Sequence, residues 1–297
     1  MDERGTIHDV ADTAFLVAAF RAQESDRTDA LFSDPFAARL VGERRQAILA
    51  TVAHLGEMAG WSSVVRTVLI DRLIADAVEH GFRTVINIGA GLDTRPYRLE
   101  LPPSLSWIEA DQVGVVAHKN AVLAGETPRC SLSRVAVDLA DANARRALLA
   151  RIADAPALGI IEGVFPYLTD DAVGATLDDL FACEAIEQII VDYIPPEIIR
   201  ARAVAGSRLH DVPFRFMPPD WHAFFAEHGW RVKAMHDLAE EGARRGRPFP
   251  IPEALRAQMT QQQPPAKPSG TFAAYAVMER DSSRQLTSSP RSSSPQQ

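Results

Sequence analysis

Residues 84–98, TVINIGAGLDTRPYR, constrain the fold more than any other stretch of the chain. Thr84-Val85-Ile86-Asn87-Ile88 is dominated by β-branched residues, long enough for a buried strand and too short for a helix. It stops at Gly89-Ala90-Gly91. Two glycines one residue apart let the backbone turn sharply and leave no side chain between the turn and a ligand. A glycine turn directly after a buried strand is how open α/β sheets hold nucleotide-like ligands at the carboxyl ends of their strands. An ordinary tight turn competes with that reading, because Thr94 stands where G-x-G-x-x-G would place its third glycine.

A carboxylate about 20 residues on strengthens the ligand reading, since it can accept hydrogen bonds from ribose hydroxyls. Asp111, after the strand-like SLSWIEA, occupies that place. Nicotinamide enzymes and S-adenosylmethionine (SAM) enzymes share this arrangement, so the rest of the chain must separate them.

The remaining elements alternate. Residues 8–60 read as helical, with Asp12 able to cap the run Thr13–Phe20, and Ser33-Asp34-Pro35 opening another helix with Pro35 at its first position. Between them, residues 20–40 carry many charges around Leu31-Phe32, which fits either an exposed charged face or a lid. Residues 61–80 form an amphipathic helix with Arg66 near its start and Gly81 behind it. Helices over 115–125 and 141–153 and strands over 132–137, up to Glu162, and over 186–194 follow, with a helix opened by Thr169. This alternation predicts an α/β fold with a doubly wound, Rossmann-like sheet. Pro195-Pro196 opens an irregular insert to about Pro219, Asp220 caps a helix reaching His228, and strands fall at 230–235 and 271–278. The expected final pairing is antiparallel. The segment 281–297 has too few apolar groups to offset ordering entropy and is expected to be disordered. The division read from this is a helical cap over 1–64, a core over 65–280 with an insert near 195–220, and the tail.

Composition removes several classes of function. No apolar run approaches the length of a membrane span, and the acidic start MDERGTIHDV is not a secretory signal, so a cytoplasmic protein is expected. Cys130 and Cys183 are far apart and suit a reducing compartment as packing residues. A net charge of −8 argues against nucleic acid as a partner, and the clusters Arg44-Arg45, Arg145-Arg146 and Arg244-Arg245-Gly246-Arg247 read as solvated surface. His222 and His228 sit on different faces of a helix and make no zinc pair, so no metal site is expected.

Five stretches in order, FRAQESDRTDALFSDPFA, Arg66-Thr67 with Ile70-Asp71, GAGLDTRPYRL, IEAD with Lys119 beyond, and EGVFPYL, resemble the leucine carboxyl methyltransferase family of SAM-dependent enzymes, in its bacterial polyketide O-methyltransferase-like branch. The HGW at 228–230 and the last strand extend the resemblance to about residue 278. It implies the SAM-methyltransferase version of the sheet, with SAM as cofactor and a small molecule as acceptor. By position, it implies that Arg66 pairs with the methionine carboxylate and that Gly89 and Gly91 pass beneath the amino-acid part. Asp111 would hold the ribose, Asp138 and Leu139 would meet the adenine, and Glu162 would face the methionine amino group. Asp93, Thr94 and Arg95 would fix the loop. Asp138 could instead cap the next helix, and Glu162 could pair with an arginine of the cap. Pro96, Ala110 and Phe165-Pro166 depart from the family pattern, the last pair affecting the shape of the acceptor pocket.

A carboxylate acceptor is ionised at neutral pH and needs no base, whereas a phenol wants one. No motif names a base, and Tyr167 is the one candidate on the acceptor side, with packing as its other reading. A carboxylate acceptor is therefore favoured. The competing functions are a nicotinamide oxidoreductase, which leaves Arg66, Asp138 and Glu162 without a role, and a non-catalytic SAM-fold binding protein.

Overall fold

A computed structural model describes residues 10–53, 58–204, 214–250 and 273–281. The proposed tail beyond Asp281 and the Gln/Pro-rich linker before the last strand lie outside these residues. Seven strands form one sheet: β1 (Thr84–Ile88), β2 (Ser106–Asp111), β3 (Ser131–Ala136), β4 (Ala157–Ile161), β5 (Ile186–Tyr193), β6 (Trp230–Asp237) and β7 (Ala274–Arg280). Their order is β3-β2-β1-β4-β5-β7-β6. The first five are parallel, and β7 runs antiparallel to both β5 and β6. The expected doubly wound sheet with an antiparallel last strand is therefore present.

β1 lies between β2 and β4, so successive crossovers leave it in opposite directions. Crevices at such a reversal, at the carboxyl ends of the strands, are where open α/β sheets bind ligands. β1 and β4 are buried at every residue, as strands covered by helices on both faces must be. One face packs under α7 (Ala142–Leu149), α8 (Asp170–Ala182) and α10 (Trp221–Glu227), whose Leu148, Leu177 and Phe225 meet Ile86, Ile161 and Ile189. The other packs under α4 (Met58–Glu79) and α11 (Leu238–Arg244), through Leu69, Ile70 and Leu238 against Val85, Ile160 and Ile190.

The amino-terminal helices α1 (Val10–Ser25), α2 (Ala37–Val41) and α3 (Arg45–Thr51) form a third cluster in which Phe20, Leu40 and Ile48 pack on Leu92, Tyr97 and Val115. They are seated on the connections that leave β1 and β2. The short α5 (Arg95–Arg98) and α6 (Val113–Val122) complete that side.

Local chemistry places the boundaries. Thr169 accepts from the N–H of Ala172 and Asp220 from that of Ala223, as their capping roles require. Gly81, at φ +99°, ends α4 with N–H bonds back to its last turn. Several expectations need correction. α1 begins at Val10, ahead of Asp12, and residues 26–36 are not helical. Asp34 does accept from the N–H groups of Phe36 and Ala37, but α2 starts two residues after Pro35. The insert expected to be irregular opens with α9 (Pro196–Val204), where Pro196 takes the first helical position and contributes no N–H to satisfy. α7 ends at Leu149, short of the expected 153. Among the described residues no helix is long and apolar enough to cross a membrane.

Ile86 is the middle of the central strand and is fully buried. Ile86→Ala should lower stability by about 2–5 kcal/mol, read as a lower urea midpoint at unchanged slope. A loss below about 1 kcal/mol would show that this face of the sheet is not the core.

Candidate functional site

The carboxyl ends of β1, β2 and β4 meet at a chain of buried charges. Asn87, the next-to-last residue of β1, donates from Nδ2 to Asp93 at 2.8 Å. Asp93 accepts from the N–H of Arg95 at 2.9 Å and pairs with its guanidinium at 2.9 Å. Burial would raise the Asp93 pKa, but Arg95, Lys119, Arg98 and Arg21 outweigh it and hold the group well below the usual carboxylate range. Arg95 extends further, to Asp71 of α4 at 2.7 Å and to Glu162 at 3.0 Å. Arg98 grips Asp71 with two parallel hydrogen bonds of 2.6 and 2.8 Å.

The same chain reaches the amino-terminal helices. Arg21 of α1 donates to Asp34 at 2.9 Å and to the carbonyl of Leu92 at 2.5 Å, and Thr94 donates to Asp34 at 2.7 Å. Of the charged residues expected on an exposed face or lid, Arg21, Glu24 and Asp34 are buried, while Asp26, Arg27 and Asp29 are exposed. Burial raises the Asp34 pKa, yet Arg21, Thr94 and Arg98 leave it below the ordinary value.

The glycine turn is shaped by necessity at two positions. Gly89 and Gly91 have φ of +69° and +49°, where a side chain is strained. A Cβ on Gly89 would fall 2.2 Å from a methyl of Val164, so the turn packs directly on the segment after β4. The turn is tied to β2, for the N–H groups of Gly89 and Ala90 both donate to the carbonyl of Ala110, and that of Gly91 donates to Asp111 at 2.6 Å. The second oxygen of Asp111 accepts from the N–H of Gln112 at 2.7 Å. Burial pushes the Asp111 pKa up, against the pull of those two N–H groups. Each oxygen keeps a lone pair for a further donor.

Arg66 of α4 lies 2.9 Å from Glu162, which thus bridges Arg66 and Arg95. At that distance the charges pair, but the Arg66 Nε–H is not aimed at the carboxylate, and this buried donor has no aligned partner among the described residues. Burial disfavours the Arg66 charge, but Tyr275, Glu162 and Asp192 nearby more than offset it. Neither partner of Glu162 belongs to the cap.

Asp138 is exposed beyond β3 and accepts from the N–H of Ala140 at 2.9 Å. The cap of α7 is Asp141 instead, so that alternative role for Asp138 falls. Leu139 is half-buried, its carbonyl held by Arg145 at 2.6 Å. Arg145, expected on a solvated surface, is buried and also paired with Asp179. Tyr167 is half-buried against Phe214, with ring centroids 5.4 Å apart. Cys130 is buried, with its thiol pushed up to about 11 by burial and Glu109, and Cys183 is half-buried.

Comparison with known proteins now decides the class. A family model described as leucine carboxyl methyltransferase matches residues 14–181, more than half of the 297 residues. The chain belongs to the leucine carboxyl methyltransferase family. It is 33% identical over 269 residues to a candidate SAM-dependent methyltransferase of Mycolicibacterium smegmatis, covering 81% of this chain and 88% of that one. It is also 33% identical over 244 residues to one of Saccharopolyspora erythraea, covering 74% and 83%. In fold it is similar to a DUF574 family protein from Streptomyces avermitilis, with TM-score 0.54, 15% identity, and 89% and 96% of the two chains covered. This methyltransferase family accounts for the expected cofactor, SAM, and displaces the nicotinamide reading.

The donor set fits that cofactor chemically. A cation with an unaligned buried N–H suits a carboxylate, and a carboxylate with free lone pairs at the end of β2 suits a ribose diol. A second carboxylate beside Leu139 suits an amine on a flat apolar ring. The residues that sequence reading left without a role are Asp71, Asp192 and Tyr275. An acid on the inward stripe of an amphipathic helix was the signal for Asp71. A polar residue next to the end of a buried strand was the signal for Asp192.

Asp71→Ala should strip Arg98, 4% exposed, of its bidentate carboxylate and Arg95 of one of three, and cost about 3–5 kcal/mol in urea denaturation. Asp71→Asn should recover part of it. A loss under about 1 kcal/mol would mean that the arginines find other partners.

Proposed function

We propose that the protein transfers the methyl group of SAM to an oxygen of a small-molecule acceptor, a carboxylate or aromatic hydroxyl of polyketide-like type. The observation that carries this reading is the convergence of Arg66, Glu162, Gly89-Gly91 and Asp111 on the carboxyl edge where the strand order reverses. Arg66 would take the methionine carboxylate with its unaligned N–H, and Glu162 the ammonium. Gly89 and Gly91 would keep the amino-acid part free of side chains, Asp111 would accept from the ribose hydroxyls, and Asp138 with Leu139 would meet the adenine. When bound, SAM supplies an electrophilic methyl group that needs no proton management.

The protein's share is positioning and drying. Holding the acceptor oxygen in line can be worth about 7–11 kcal/mol in effective-molarity terms. A water-poor site strips the nucleophile of hydration. In this reading residues 1–64 would act as a cap over a core of 65–280 and the segment 20–40 would shield the site, which the bonds from Arg21 to the Leu92 carbonyl and from Thr94 to Asp34 support. An intact cofactor set supports turnover over a purely regulatory role, in the cytoplasm.

Asp111→Ala tests the assignment. It should lose charge-assisted hydrogen bonds of about 1.5–3 kcal/mol, a roughly 10- to 150-fold weaker SAM affinity by calorimetry. Unchanged affinity would remove Asp111 from the site.

A further inference from the structure

Two strand residues that the proposed function leaves unused meet behind Glu162. Asp192 of β5 and Tyr275 of β7 stand directly opposite one another in the antiparallel register, so their side chains leave the sheet on one face. It is the face covered by α4, which carries Arg66. The Tyr275 hydroxyl donates to one Asp192 oxygen at 2.6 Å, and the other oxygen accepts from the N–H of Gly163 at 2.8 Å. That N–H belongs to the peptide group joining Glu162 to Gly163, where the chain turns at φ +68°. Asp192 therefore grips the backbone from which the Glu162 side chain departs, and Tyr275 grips Asp192.

The arrangement needs Asp192 ionised. A carboxylate accepts from both donors, whereas the protonated acid carries an O–H on one oxygen and loses acceptor capacity toward Tyr275 or Gly163. Burial pushes Asp192 up to about 6, against the Tyr275 bond, Arg66 and the Gly163 N–H, with Glu162 adding to the rise. Burial, Asp192 and Glu162 hold the Tyr275 hydroxyl well above its ordinary value, so it stays a donor wherever Asp192 titrates. The groups facing Asp192 are Arg66 from α4, Glu162 from the segment after β4 and Tyr275 from β7. On β6, His236 is the register partner of Tyr275, lowered by burial and set among Arg72, Asp76, Glu241 and Arg244. Glu197 of α9 acts on the adjoining Tyr193.

We propose that Asp192 and Tyr275 are positioning residues for the amino-acid end of the cofactor, holding Glu162 through the Glu162–Gly163 peptide where it meets the ammonium group beside Arg66. The inference rests on the methyl-transfer reading above and adds two residues to it. Both act through Glu162, and neither is a catalytic residue. The amino-acid end carries one charge of each sign, so Asp192 works on it by placement rather than by net attraction. An adenosine compound without that end is blind to the pair.

The test is calorimetry on the full chain with two probes: the demethylated product, and methylthioadenosine, which keeps the adenosine and sulfur but lacks the amino-acid end. SAM and the demethylated product are titrated first; failure of both to bind overturns the methyl-transfer reading and this inference with it. The readout is the ratio of product affinity to methylthioadenosine affinity, in which any titration of Asp111 cancels. In the wild type the ratio should be full above the Asp192 pKa and fall about tenfold from about pH 7.5 to about pH 5. Asp192→Asn, with one acceptor oxygen, should hold the ratio at that low value across the whole range. Tyr275→Phe removes a hydrogen bond to the ionised form and should move the limb to higher pH, lowering the ratio about two- to threefold at about pH 6.5. His236→Gln should leave the limb in place.

The wild-type series and Tyr275→Phe test the role if Asp192→Asn fails to fold. If methylthioadenosine does not bind, product affinity replaces the ratio and the Tyr275→Phe shift decides. Equal weakening of both probes by Asp192→Asn would mean damage to the whole site and overturn the inference alone. So would a ratio flat with pH in the wild type, a limb unmoved by Tyr275→Phe, or a limb abolished by His236→Gln.

Discussion

Arg95 is the contact on which the site depends. A guanidinium this buried is costly to take out of water, and it is tolerable only with full, well-directed pairing. Asp71, Asp93 and Glu162 supply that pairing from three places: α4, the turn after β1 and the end of β4. Burial works against the Arg95 charge, but these carboxylates hold its pKa well above the ordinary value. One side chain therefore sets the spacing of the elements that converge at the carboxyl edge of the sheet. Its partner Glu162 in turn pairs with Arg66, and its neighbour Arg98 leads through Asp34 to Arg21 of α1. The net stability from such a ladder is small beside the hydrophobic core, but its geometry is specific.

The sheet provides the second constraint. The strand order reverses at β1, and Asn87, Asp111, Glu162 and Asp192 stand at or just beyond the carboxyl ends of β1, β2, β4 and β5. Glycine at 89 is required because Val164 approaches so closely, which locks the turn after β1 to the segment after β4. That segment leads into Pro166, whose carbonyl accepts from the N–H groups of Arg215 and Phe216.

Most of the architecture was legible in the sequence because β-branched runs, glycine turns and capping residues are local signals. The strands, the caps at Thr169 and Asp220 and the antiparallel edge followed from them. The helix at Pro196 was hidden because a double proline reads as a breaker, while the first turn of a helix accepts proline. Where a motif spaced residues, the sequence brought together the ones the structure does: Gly89 and Gly91 turn at positive φ, and the Gly91 N–H meets Asp111. Asp192 and Tyr275 were not legible, because their pairing joins residues 83 apart across an antiparallel register that no local pattern encodes. Arg145 was mistaken for surface for the same reason: its partner Asp179 lies on another helix.

The central claim is that this edge holds SAM and not a dinucleotide. Titration of the wild-type chain with the demethylated cofactor and, separately, with NADH measures that directly. The account predicts saturable binding of the first at one site per chain, with a melting temperature that rises with its concentration, and no shift with NADH. Stabilisation by NADH without stabilisation by the demethylated cofactor would contradict it.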